Sequence, residues 1–265
     1  MSTAVQLLLA IDTSGAEAGL VLADVGTGLS VDPAVAGGAG IDVAMLPADR
    51  GFSRTEDLAS HASSLLARRG CGPQDLAAVA AVVGPGSYTG LRSGLAFLRG
   101  LAFSESLPAV SVGALELLAW RAARPGETVI AVWPAGKGRS LVGVYRCGDN
   151  EIDEIVEPET IDDGEVPGRV VSLRDRGTIA VIPSSAVGLA PSSWSASADL
   201  AAVAHAAGIE LRVPAPESFA RLAVLAASRL RAGKVTTTGA LLPVYVGLAA
   251  IRPAPNVRNV SMTRE

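Results

Sequence analysis

The stretch from Thr89 to Ser104 has the spacing of a helix that is apolar on nearly every side. Leu91, Leu95, Leu98 and Ala102 form one stripe, Gly90, Gly94, Phe97 and Leu101 form a second, and Arg92 and Arg99 leave only a thin polar edge. Such a helix has to be covered on more than one side. A sheet can cover one stripe. The other is covered either by a neighbouring helix of the same chain, over 54–69, or by a partner subunit, with Gly90 and Gly94 permitting close approach of a helix backbone. In front of the helix stands Gly84-Pro85-Gly86-Ser87-Tyr88-Thr89. Gly84 and Gly86 open backbone angles closed to other residues, Pro85 stiffens the turn, and Thr89 or Ser87 can cap the helix. The exposed amides of such a turn could bind an anion, or the glycines could simply let the helix fold back tightly on a sheet.

Around this unit the chain reads as alternating strands and helices, an α/β pattern. Val5 to Ile11 is an unbroken apolar run, as in a strand buried on both faces. Turn chemistry at Asp12-Thr13-Ser14-Gly15 follows, then a second apolar run from Gly19 to Val25. The glycine-rich segment 26–53 holds a third strand near Ile41 to Leu46 and has no evident role. Arg54 to Arg69 has helical spacing with Leu58, Ala62, Leu65 and Leu66 on one face, and Ala77 to Val83 is another buried strand. Strands over Thr128–Trp133 and Leu141–Arg146, joined by a short turn, echo the pattern of residues 5–25, which points to a duplicated lobe. The expected organisation is a first lobe over 1–107, a second over 108–215, a helix over 216–232 able to pack back on the first lobe, and a disordered tail over 251–265.

Composition excludes several classes. The net charge of −4 offers no broad basic footprint for independent nucleic-acid binding. Cys71 and Cys147 are far apart and suit free thiols, the N-terminus lacks a signal peptide's pattern, and no apolar run approaches the length of a membrane span. A cytoplasmic, soluble protein is expected. The two histidines, His61 and His205, have no partners at metal-ligand spacing, so no metal site is expected, and no Gly-x-Ser-x-Gly elbow is present. Asp12, Thr13 and Ser14 are the best polar constellation. They could touch a phosphate or its magnesium, or cap the turn with local hydrogen bonds.

Three segments, Leu9-Ala10-Ile11-Asp12-Thr13-Ser14, Gly84-Pro85-Gly86-Ser87-Tyr88-Thr89-Gly90-Leu91-Arg92 and Pro108-Ala109-Val110-Ser111-Val112-Gly113-Ala114-Leu115-Glu116, resemble the TsaB (YeaZ) family. The likeness runs over 7–25 and 79–120 and thins after about 150. It implies an actin-like, ATPase-type (ASKHA) fold of two related lobes with mixed sheets and flanking helices. It further implies a non-catalytic subunit of the complex that transfers threonylcarbamoyl to N6 of the adenosine 3′ of the anticodon, in tRNAs reading codons that begin with A. A TsaD-type catalytic paralogue, which carries a metal-binding histidine pair, would be the partner, with a TsaE-type ATPase joining at the heterodimer and a homodimer forming when the chain is alone. ATP and Mg would be used by those partners, and tRNA would be met through the complex. The partner would dock on the two helices of the first lobe, with Glu56, Leu58, Ala62, Leu65, Gly90, Gly94, Phe97, Leu98 and Leu101 as the candidate contacts.

Two departures from the family bear on that expectation. Arg54-Thr55-Glu56 stands where the family has His-Ser-Glu, and Pro134-Ala135-Gly136 replaces the second lobe's Asp-Ala-Arg, removing a carboxylate that an actin-like nucleotide site would draw on. The competing expectation is a stand-alone actin-fold kinase or ATPase; a peptidase lacks its metal ligands.

Overall fold

The computed structural model describes residues 6–15, 17–26, 40–46, 55–104, 107–183, 194 and 196–245. Its ten strands form two five-stranded sheets. The first holds β1 (Leu7–Asp12), β2 (Gly19–Asp24), β3 (Ile41–Met45), β4 (Leu76–Gly84) and β5 (Ala109–Gly113), in the order β3-β2-β1-β4-β5. Within it β1, β2 and β3 are antiparallel, while β1, β4 and β5 run parallel. The second holds β6 (Thr128–Gly136), β7 (Arg139–Cys147), β8 (Ile152–Asp162), β9 (Ile179–Val181) and β10 (Glu210–Arg212), in the order β10-β9-β6-β7-β8. Its pairing repeats that of the first sheet strand for strand.

The helices repeat as well. In the first half α1 (Thr55–Arg68) precedes β4, α2 (Tyr88–Ser104) precedes β5, and α3 (Ala114–Ala122) follows. In the second half α4 (Val166–Ser172) precedes β9, α5 (Ala196–Ala206) precedes β10, and α6 (Arg221–Arg231) follows. The closing helices are exchanged: α3 packs most closely on β6 and also on β7, and α6 packs on β1 and β5. One point corrects the expected lobe boundary. β5 pairs with β4, so the first sheet extends beyond residue 107. The acidic stretch 151–165 is largely the edge strand β8, whose charged, exposed side chains suit a sheet margin that must not pair with another chain. The tail expected over 251–265 lies outside the described residues.

Strand β1 shows why its sequence is apolar throughout. Leu7, Leu9 and Ile11 point to a core shared with α1 and α2, and Leu8 and Ala10 point to the opposite core, under α3 and α6. That second core runs without interruption from Leu8 and Val21 to Val129, Ala131 and Val181, so it joins the two sheets. Trp120 is its largest element: the indole Nε1 donates to the Arg221 carbonyl at 3.1 Å, the Arg221 guanidinium lies over the ring, and Arg221 donates to the Ala123 carbonyl at 2.7 Å. Arg229 adds a second brace, bonding the Ser111 carbonyl and Glu116. Replacing Trp120 with alanine should therefore cost about 3–5 kcal/mol. Calorimetry should record one lowered transition for both lobes rather than separate melting of one. Among the described residues, no helix is long and apolar enough to cross a membrane. Cys71 and Cys147 are free thiols, and burial pushes the Cys147 thiol up to about 12.

Candidate functional site

The turn after β1 is capped locally. Ser14 donates to the Asp12 carboxylate through both its backbone N–H, at 2.8 Å, and its hydroxyl, at 2.6 Å. All three polar residues, Asp12, Thr13 and Ser14, are buried. Burial raises the Asp12 pKa above its ordinary value, against the lowering effect of the two Ser14 bonds. A small pocket beside Asp12 is lined by Glu17, Arg121 and Trp133 as well. The nearest cation is already engaged: Arg121 bonds Glu17 at 2.8 Å and the Ser218 hydroxyl at 3.0 Å.

Because the folded-state pKa of Asp12 lies above the unfolded value of about 3.9, the folded chain holds more protons across that interval. Stability therefore falls as pH rises through it. An asparagine in place of Asp12 keeps an acceptor for Ser14 without the charge. The Asp12→Asn chain should accordingly match or exceed the parent's midpoint in denaturant at pH 7, with the gap closing on acidification. Asp12→Ala should lose about 1–3 kcal/mol, since it strands two buried donors.

The glycine-rich turn packs against this same turn. Ser87 N–H donates to the Ser14 carbonyl at 2.7 Å, and the Ser87 hydroxyl, not that of Thr89, accepts from Gly90 N–H at 3.2 Å, capping α2. Gly90 and Gly94 do not face another helix. A methyl group at Gly90 would strike the Thr13 carbonyl oxygen, and one at Gly94 would strike the Thr13 hydroxyl. Small residues are needed there because the β1 turn lies directly on α2. Gly84 takes a φ of 118° ahead of Pro85, with the Val244 carbonyl packed against it, and Gly86 lies against Ser14.

The other candidates divide by exposure. Leu58 and Leu65 on α1 and Leu98 on α2 are wholly buried, and Ala62 nearly so, in the core under the first sheet. They hold the two helices to the sheet and cannot be surface contacts. Phe97 and Leu101 are half-buried at its margin, and Glu56 lies in the first turn of α1. The exposed face of the pair is made instead of Ala59, Ser60, Ser63, Ser64, Ala67 and Arg68 on α1 and of Arg92, Ala96, Arg99 and Gly100 on α2. The spacing 60, 63, 64, 67 is a helical stripe that could have been found by reading small residues, rather than large ones, as contacts.

Between the lobes opens a cleft of about 730 Å³, walled by Ser14, Pro85, Ser87, Tyr88 and Tyr245 on one side and by Trp133, Pro134, Ala135 and Gly136 on the other. None of its described lining residues is charged. The second-lobe turn that could have supplied a carboxylate supplies a proline instead, and Trp133 reaches across to touch Gly15. Among the described residues, no three of His, Cys, Asp and Glu come together as metal ligands.

A twice-repeated mixed sheet with exchanged closing helices and a cleft between the halves is the actin-like architecture of two related α/β lobes. The chain belongs to the family described as TsaD, tRNA N6-adenosine threonylcarbamoyltransferase, whose model matches residues 48–248. The resemblance to TsaB and YeaZ also holds. Over 89 residues, 34% of the chain, it is 30% identical to the tRNA threonylcarbamoyladenosine biosynthesis protein TsaB of Bacillus subtilis. Over 117 residues, 40% of the chain, it is 30% identical to the Escherichia coli protein of the same name. These matches span 39% and 50% of the relatives' lengths. The structure of YeaZ from Pseudomonas aeruginosa shares the fold, with a TM-score of 0.65 at 23% identity, over 91% of this chain and 100% of that one.

Proposed function

We propose that this chain is a non-catalytic subunit of a tRNA threonylcarbamoyl transferase complex, activating a TsaD-type catalytic paralogue by docking on the exposed α1–α2 face. The complex would install threonylcarbamoyl on N6 of the adenosine 3′ of the anticodon. The observation that carries this reading is the state of Asp12. The Asp12 carboxylate is buried and bonded to its own turn, and none of the described residues walling the cleft is charged. A cleft without charged side chains among its described walls supports a role without phosphate chemistry. The surface offered to a partner is the small-residue part of this face, Ser60, Ser63, Ser64, Ala67, Ala96 and Gly100, with Arg68, Arg92 and Arg99 exposed beside it, and small residues let facing helices approach at the short end of the usual 8–10 Å range. ATP and Mg would be used by the partner subunits, including a TsaE-type ATPase at the heterodimer. A homodimer through the same face would form when the paralogue is absent.

Calorimetry tests the division of labour. The isolated chain should give no heat of ATP binding with magnesium present. A magnesium-dependent signal that Asp12→Ala removes would restore the reading of a stand-alone actin-fold kinase or ATPase.

A further inference from the structure

We infer that Tyr88, Arg92 and Tyr245 form a direct contact for an unpaired RNA nucleotide, with a base stacking on a tyrosine ring and its phosphate meeting Arg92. The inference rests on the reading above, in which the chain works within a complex that acts on tRNA, and it assigns part of that RNA contact to this chain.

Tyr88 opens α2 with 55% of its surface exposed, and Arg92 follows one turn later. The Arg92 guanidinium lies 4.3 Å from the Tyr88 ring centre, and its Nε donates to the Tyr245 hydroxyl at 3.0 Å. The two tyrosine rings are 5.1 Å apart with their planes at 32°. These side chains are held in place. Tyr245 ends a segment in which Leu241 is fully buried and Val244 N–H donates to the Val83 carbonyl at 2.7 Å. Little rotamer freedom is left to lose on binding.

No carboxylate pairs with Arg92 among the described residues, α2 contains no aspartate or glutamate from end to end, and Arg99 is exposed two turns further on. An unpaired arginine beside exposed aromatic rings is what an unstacked base with its phosphate requires: the ring takes the base's π-face and the guanidinium the charge. Tyr88 and Tyr245 also open on the uncharged cleft with Trp133, which gives a splayed base somewhere to lie. An acidic segment of a partner protein could use Arg92, but it would leave the two tyrosine faces without a matching group. With a net charge of −4, the chain needs such a local device, since it has no broad basic field to attract RNA.

The test is fluorescence anisotropy at low salt with the whole chain and a labelled RNA hairpin carrying an unpaired loop, beside the same RNA as a full duplex. The hairpin should bind better than the duplex. Tyr88→Ala should weaken hairpin binding roughly 5- to 150-fold while Tyr88→Phe retains it. Arg92→Gln should lower the slope of log affinity against log salt by about 0.7. Tyr245→Ala, which removes the second ring and the hydroxyl that holds Arg92, should also weaken the hairpin. The idea fails if the parent chain does not bind the hairpin, if hairpin and duplex bind alike, or if Tyr88→Ala and Tyr245→Ala bind as the parent does. It fails equally if Tyr88→Ala abolishes association with the catalytic paralogue in size-exclusion chromatography, since the cluster would then be a protein interface. Intact loop binding by a chain that proves dispensable for tRNA modification would leave this inference standing and remove the proposed function instead.

Discussion

The chain carrying Gly90→Ala should unfold well before the parent, losing about 3 kcal/mol or more. For a chain of this size that is roughly 6–12 °C in melting temperature. The added methyl meets the Thr13 carbonyl oxygen, which is backbone and held by the packing of the β1 turn on α2, so little can move to receive it. The sign of the effect is diagnostic. On an open helix face the same change would stabilise the isolated chain by up to about 1 kcal/mol, because alanine is the better helix former. Gly94→Ala, aimed at the Thr13 hydroxyl, should behave like Gly90→Ala. Thermal denaturation of the two variants separates a glycine stripe that seats the chain's own turn from one kept clear for a partner.

The second large effect is expected on the surface. Ala96→Arg and Ser63→Arg place a long charged side chain on the exposed face of α2 and α1, where it meets solvent in the isolated chain. Melting temperature should hardly change. Association with the catalytic paralogue should weaken by about 30-fold or more, since a bulky charge at the centre of a closely packed helical interface costs as much as losing a hot spot. Size-exclusion chromatography of the mixed proteins reads the loss directly. Leu98→Arg makes a poor comparison, because Leu98 is fully buried and the change would unfold the chain before it tested any interface.

These two predictions show where sequence reasoning carried and where it stopped. The duplicated lobe was legible from the echo between residues 5–25 and 128–146, because strands buried on both faces must be apolar throughout. The apolar stripe Leu91, Leu95, Leu98 and Ala102 likewise announced a helix lying on a sheet. Which side each remaining stripe faced was not legible. Gly90 and Gly94 look alike whether a partner helix or the chain's own Thr13 lies above them, and the distance between β1 and α2 in sequence hides that contact. β8 carries no apolar alternation to announce it, because an edge strand tolerates charged residues. Asp12 presented as a possible ligand because its residue type suits both roles; its burial and its bonds to Ser14 were not legible in the sequence.

The central claim is that this chain supplies a docking surface and no chemistry. Reconstituted tRNA modification tests it most directly: tRNA, threonine, bicarbonate and ATP with the catalytic paralogue and the other components, with the parent chain, with Asp12→Asn, with Ala96→Arg, or with the chain omitted. The account predicts modified tRNA with the parent and with Asp12→Asn, and its loss with Ala96→Arg and on omission. Full modification without the chain, or loss of modification with a stably folded Asp12→Asn chain that still binds its partner, would contradict it.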